Sequence, residues 1–323
     1  MSGYLFSRFL QTFVTLFVMS VLVFGGLHMV GNPVDVLLSP TATPAERLEV
    51  IRSFGLDRPV WEQYWIFLGN ALKGELGNSF VFNQPALDLI LQRMPATLEL
   101  AVTALLMALV IGIPLGIHAG LRPNSVLSKS IMTFSILGFS LPTFWIGLVM
   151  IMVFAVQLGW LPSSGRGETT EVFGVPLSVF TRDGLAHLAL PAFNLALFKI
   201  SLVIRITRAG VLETMQLDFV RFARAKGMPE RRIVSVHVLK NTLIPLITVI
   251  GLELGSLIAF AVVTETIFAW PGMGKLIIDA IAVLDRPVIL AYLMITVVMF
   301  SVINLVVDIL YSVVDPRVRL EGK

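Results

Sequence analysis

Leu100–Leu121 reads LAVTALLMALVIGIPLGIHAGL, 22 residues without an Asp, Glu, Lys or Arg. As an α-helix it is about 33 Å long, and a bilayer core of about 30 Å needs roughly 20 apolar residues. The stretch is read as a membrane-spanning helix. Working outward, Phe9–Val34 is a second charge-free stretch and Ser130–Gly165 a third, of 36 residues. The third would run about 54 Å as one helix, so it is expected to hold one span and an external segment, with Trp160 and Pro162 at the exit. Leu185–Ile204 is broken by Lys199 and Leu243–Val263 by Glu253, while Pro287–Val307 continues past Asp308 to about Val314.

Composition agrees. Of 323 residues 56% are hydrophobic and 14% charged, against about 25% charged in soluble domains. That excludes a water-soluble globule and a disordered chain. There is no cysteine, hence no disulfide framework, thiolate metal site or cysteine nucleophile. With the N-terminus in the cytoplasm, the inner segments carry 14 basic residues against five acids and the outer ones nine against 14. Positive charge concentrates inside. The expected fold is an all-α integral membrane protein of six transmembrane helices with both termini cytoplasmic. The expected organisation is an N-terminal anchor helix (1–31), an external helical segment (32–99), a five-helix core (100–314) and a cytoplasmic tail (315–323). The anchor lacks an A-x-A-like cleavage site and reads as uncleaved.

In the external segment, Thr43-Pro44-Ala45-Glu46 has a capping-box pattern that opens a short helix to about Phe54. Pro59–Lys73 carries Trp61, Tyr64, Trp65, Phe67 and Leu68 at helical spacing, an amphipathic helix lying on the bilayer or on the span bundle. Between the fourth and fifth spans, Asp218 is expected to cap a two-turn cytoplasmic helix that Gly227 ends in the left-handed conformation. Phe219, Phe222, Ala223 and Lys226 share one face, with Arg221 and Arg224 beside them. So short a helix must dock on something: anionic lipid or a cytoplasmic protein partner.

The stretch Ala223…Gly227, followed by an apolar run and Pro245, resembles the cytoplasmic loop of ABC importer permeases, most closely the dipeptide/oligopeptide/nickel branch. Gly55-Leu56-Asp57-Arg58-Pro59 and Met94-Pro95-Ala96-Thr97-Leu98-Glu99-Leu100 are similar to that branch's external segment and second span entry. Thr264-Glu265-Thr266-Ile267-Phe268-Ala269-Trp270-Pro271-Gly272-Met273-Gly274-Lys275 resembles its external turn. Asp308-Ile309-Leu310-Tyr311 and Asp315-Pro316-Arg317 resemble its C-terminal end. The long external segment is similar to that of the first of two permeases. Arg221-Phe222-Ala223 stands where the general pattern has Glu-Ala-Ala, and Lys199 and Glu253 stand where uncharged residues are usual.

The resemblance implies a permease subunit of an ATP-driven, binding-protein-dependent importer in a bacterial inner membrane, with di- or oligopeptides as the expected cargo. Its implied partners are a second permease, one or two cytoplasmic ATPase subunits, an external substrate-binding protein and membrane lipid, with no nucleic acid. It implies no cofactor in this chain, with ATP and Mg in the ATPase subunits. Asp218, Phe219, Arg221, Phe222, Ala223, Arg224, Lys226 and Gly227 would couple to the ATPase. Glu265, Trp270, Pro271 and Gly272 would form an external gate, with Ile267–Ile281 over the outer mouth. The chain has no G-x-x-x-x-G-K-[ST] and so no ATPase site of that kind.

Other chemistry has less support. Gly138-Phe139-Ser140-Leu141-Pro142 lacks the last glycine of a nucleophile elbow. His28, His118, His187 and His237 have no metal-ligand spacing. Gly112, Gly116 and Gly120 suit close helix packing, within the chain or against the partner permease. The alternative is an ion-gradient-driven transporter or channel that uses the intramembrane charges Lys199, Glu253 and Asp308. Lys199 lies about 13 Å and Glu253 about 15 Å from the inner ends of their spans. At that common depth they are expected to pair with each other, or both to line the aqueous pathway and contact a zwitterionic substrate, or else Lys199 snorkels toward the cytoplasm.

Overall fold

The computed structural model describes residues 2–29, 43–53 and 57–314. The tail 315–323, residues 54–56 and the side chain of Asp308 lie outside the described residues, and with them parts of two motifs quoted above. Helices fall on all six apolar stretches: α1 (Ser2–Met29), α4 (Ala86–Leu121), α5 with α6 (Val126–Ser140, Thr143–Met150), α7 (Arg182–Thr214), α9 (Leu239–Ile267) and α11 (Arg286–Val314). Among the described residues Ala86–Leu121, Arg182–Thr214 and Arg286–Val307 are long and apolar enough to cross a bilayer, and the α5–α6 pair is a fourth if it counts as one span.

That pair adds a feature that the reading of Ser130–Gly165 does not contain: its two helical parts are bent by 106°. Leu141 takes an extended ψ of 140° before Pro142. A proline has no N–H to continue the ladder, and its ring disfavours a helical conformation in the residue before it. The helix resumes at Thr143, widens into π-helical turns over Ile151–Gln157 and ends there.

The chain divides into two compact units, residues 1–95 with 272–302 and residues 96–271 with 303–323. In the first, Thr43 and Glu46 form the expected capping box at the start of α2 (Pro44–Ser53): Thr43 N donates to Glu46 Oε2 at 2.8 Å and Glu46 N to Thr43 Oγ1 at 3.4 Å. The aromatic helix α3 (Val60–Ala71) lies against α1: Ser20 Oγ is 2.9 Å from Tyr64 Oη, and the Phe24 ring stacks on Phe67 at 5.6 Å. Trp61 and Trp65 stay exposed. Buried Asp285, just before α11, gathers the loop at 79–82 by accepting from Ser79 Oγ at 2.5 Å and Phe80 N at 3.2 Å.

In the second unit α7 is central, packed against α5, α6 and α9. It also meets α4 by backbone approach. A Cβ on Gly112, Gly116 or Gly120 would stand 2.6–2.7 Å from Val203, Thr207 or Val211 respectively. The glycine repeat is therefore satisfied inside this chain, one turn after another, and not by a partner. α4 runs unbroken across the expected boundary at 99/100. Before α7, strands β1 (Thr170–Val172) and β2 (Val175–Leu177) form a small antiparallel hairpin.

Candidate functional site

The short helix α8 (Asp218–Ala225) forms between α7 and α9. Its C-terminal end is as expected. Gly227 has φ +76°, Gly227 N donates to Arg224 O at 2.9 Å and Met228 N to Ala223 O at 3.2 Å, the paired bonds of a Schellman stop. Its start is not. Leu217 holds the cap position without a side-chain bond, and Asp218 is the first helical residue. The Asp218 carboxylate is solvent-exposed beside Arg221, 3.6 Å away, and adds negative charge at the helix N-terminus.

The docking face also differs from expectation. Val220 and Ala223 are buried against Val211, Ile233 and Val238, with Ile117, Leu121, Met215 and Met228 around them. Small and branched side chains let the helix approach its own chain closely. Phe222 is left 62% exposed with Lys226 Nζ 4.6 Å over its ring, and Phe219 lies beside His237. Ala223 therefore faces inward, and Phe222 and Arg221 make the outward face. Arg224 closes the turn on Glu230 through Nε at 2.6 Å and Nη2 at 3.3 Å. That fork holds the Glu230 carboxyl below the usual glutamate range and raises the Arg224 guanidinium.

The second constellation lies between α7 and α9. Lys199 Nζ is hydrogen-bonded to the Glu253 carboxylate and to Ser256 Oγ at 2.6 Å. Ser256 Oγ is also 2.7 Å from Glu253 Oε2. The Lys199 side chain is 5% exposed and that of Glu253 26%. The Lys199 ammonium also lies 5.1 Å over the Phe198 ring.

The third is the turn after α9. Ala269 takes φ +46° and Trp270 N donates back to Glu265 O at 2.8 Å. Trp270 is fully buried, its Nε1 donating to Ala96 O at 2.9 Å, and buried Glu265 accepts from Thr97 Oγ1 at 2.6 Å. Gly272 is the N-cap of α10 (Met273–Ala282). Sequence reasoning missed what fastens this turn. Arg166 packs 5.7 Å over Trp270 and donates to Glu99 Oε2 at 2.6 and 3.1 Å, and the Ser178 and Val179 amides donate to Glu99 Oε1 at 2.6 and 2.8 Å. A signal existed: Glu99 directly precedes one apolar stretch and Arg166 directly follows another, opposite charges at the same expected edge of the membrane.

The short helix α8 thus buries Val220 and Ala223 on one side and leaves Phe222 exposed on the other. The family described as "Binding-protein-dependent transport system inner membrane component" matches residues 112–320, and its N-terminal companion matches residues 1–101. The chain belongs to this family. It is thus a membrane component of a binding-protein-dependent transport system, which sets aside the ion-gradient alternative. The di/tripeptide transport system permease protein DppB of Pseudomonas aeruginosa is 39% identical over 94% of this chain and 95% of its own length. The oligopeptide transport system permease protein AppB of Bacillus subtilis is 39% identical over 99% of this chain and all of its own length. The glutathione transport system permease protein GsiC of Escherichia coli is 37% identical over 99% of both chains. Among solved structures, an inward-facing form of the MetNI methionine ABC transporter is similar in fold, with a TM-score of 0.56 and 18% identity over 70% of this chain and 96% of that chain.

Proposed function

We propose that this chain is one of two permease subunits of an importer for di- or oligopeptides, spanning the inner membrane six times with both termini in the cytoplasm. What carries the reading is near full-length similarity to permeases named for di/tripeptide and oligopeptide transport. ATP and Mg²⁺ bind to one or two partner ATPase subunits, and an external binding protein delivers the cargo. Lipid surrounds the bundle. The α8 turn is the coupling element: Val220 and Ala223 tie it to this chain, and Arg221, Phe222 and Lys226 meet the ATPase. The outer turn of Glu265, Trp270, Pro271 and Gly272 frames the external mouth. Its buried Trp270 and Glu265 suit a fixed frame better than a swinging gate.

The test is reconstitution of the permease pair with its ATPases and binding protein in proteoliposomes. ATP-dependent uptake of labelled di- and tripeptides is expected. Similarity to a glutathione permease makes glutathione the competing cargo, and uptake of glutathione alone would overturn the peptide reading. A cysteine at exposed Ala269 is expected to react with an impermeant reagent from outside. Reaction only from the cytoplasmic side would overturn the topology.

A further inference from the structure

The Lys199–Glu253 pair is lopsided. Lys199 is sealed while a quarter of the Glu253 side chain remains open. Both Lys199 Nζ and Ser256 Oγ engage Oε2 of Glu253. Its other oxygen, Oε1, accepts no hydrogen bond among the described residues. A carboxylate has capacity on both oxygens. The pair sits at bilayer depth, where an ionised group faces the bundle interior, another charge or a water-filled cavity, and not lipid. The open edge of Glu253 therefore looks onto water or onto another subunit.

We propose that Glu253 Oε1 is a way-station in the translocation pathway for the protonated amine of the cargo, with Lys199 and Ser256 as the groups that hold the carboxylate in place. The inference rests on the peptide reading of this permease. The chemistry selects an ammonium. An anion would have to reach Lys199, which is buried behind the carboxylate. A divalent metal would find one carboxylate already shared with a lysine, and among the described residues no cluster of three metal-ligating side chains exists. A monovalent organic cation needs only the one free oxygen and a charge-assisted hydrogen bond. Phe260, two turns along α9 on the same face, is 64% exposed and supplies an apolar rim for the rest of the cargo.

The experiment uses the reconstituted complex with ATPases, second permease and binding protein. Uptake is measured at concentrations that saturate the binding protein with a free-amino dipeptide and, separately, with its N-acetyl analogue. Wild type is expected to move the free amine at least tenfold faster per loaded binding protein, and Glu253→Gln to lose that preference. Lys199→Met and Glu253→Gln singly are expected to lower the melting temperature of the complex. The double variant is expected to regain it, yet to keep uptake at least tenfold down with ATP turnover retained. A double variant that regains both stability and uptake makes the pair purely structural and overturns the proposal. So does assembly loss confined to the single variants with normal uptake in the double, the mark of a subunit contact. If the double variant does not assemble, wild type decides, and equal rates for the two peptides overturn the site. Wild type that transports no peptide at all overturns the peptide reading and the site with it, whereas transport without amine preference overturns the site alone.

Discussion

At Gly116 one added methyl would stand 2.6 Å from Thr207 Cβ and 2.9 Å from the Ile204 carbonyl oxygen, and a backbone oxygen cannot step aside. Gly116→Ala is expected to destabilise the solubilised protein by about 1–3 kcal/mol, the usual cost of overpacking. Gly69→Ala in α3 is the control: nothing lies within 4 Å of that Cβ, and replacing a helical glycine gains about 0.5–1 kcal/mol. Thermal melts of the two variants must move in opposite directions. Glu99 is a second single-residue test. It is nearly buried and receives Arg166 together with two backbone amides. Glu99→Gln leaves the Arg166 charge uncompensated, at a cost of about 3–5 kcal/mol for a buried pair. Limited proteolysis of the hairpin segment at 166–180 is expected to accelerate with it. Unchanged melting and cleavage would show that the Arg166 charge finds water instead.

At the scale of elements, α8 carries two expectations. Gly227→Val forces a β-branched residue into the left-handed region at φ +76°, which costs about 1–2 kcal/mol. Because the stop also sets the path to α9, ATP-driven uptake is expected to fall while membrane insertion stays normal. A cysteine at Phe222 is expected to crosslink to the ATPase, and one at inward-facing Ala223 is not; the reverse pattern would mean that the helix rolls on assembly. The second expectation is the pH response of its closing turn. Glu230 is held ionised by Arg224, so its carboxyl titrates lower in the folded turn than in the unfolded chain. Its contribution is complete above the usual glutamate range and is lost as pH falls through the depressed folded value. The amide protection factors across residues 226–233 are expected to hold from neutral pH downward and to fall only under acid, a step that Glu230→Gln removes. The same element shows where sequence reading stops. Gly227 was legible because one residue's φ decides it. The buried face was not, because Phe219 and Phe222 are as apolar as Val220 and Ala223, and only the closeness of Val211 and Val238 chooses between them.

At the scale of the molecule, apolar stretches were readable because the cost of placing a charge in hydrocarbon is paid residue by residue. The shared depth of Lys199 and Glu253 followed from simple rise along two helices. The 106° break was present in Pro142 but hidden by reading the stretch for length alone. The Glu99–Arg166 contact joins residues 67 apart, and only their matching places at the ends of two apolar stretches pointed to it. The glycine contacts of α4 on α7 have a mechanical meaning as well. Three notches, each engaged by a branched side chain, behave like a key in a slotted shaft: the two helices can neither slide nor roll without lifting apart. The base of this shaft is where α8 sits, its Val220 and Ala223 in one apolar cluster with Val211 of α7, against which Ile117 and Leu121 of α4 also pack. On the proposed coupling role of α8, a push on it is expected to tilt α4 and α7 together as one stiff lever. Spin labels placed on α4 and α7 at both ends of the pair are expected to keep their separations through the ATP cycle, and a change at one end only would show the key slipping.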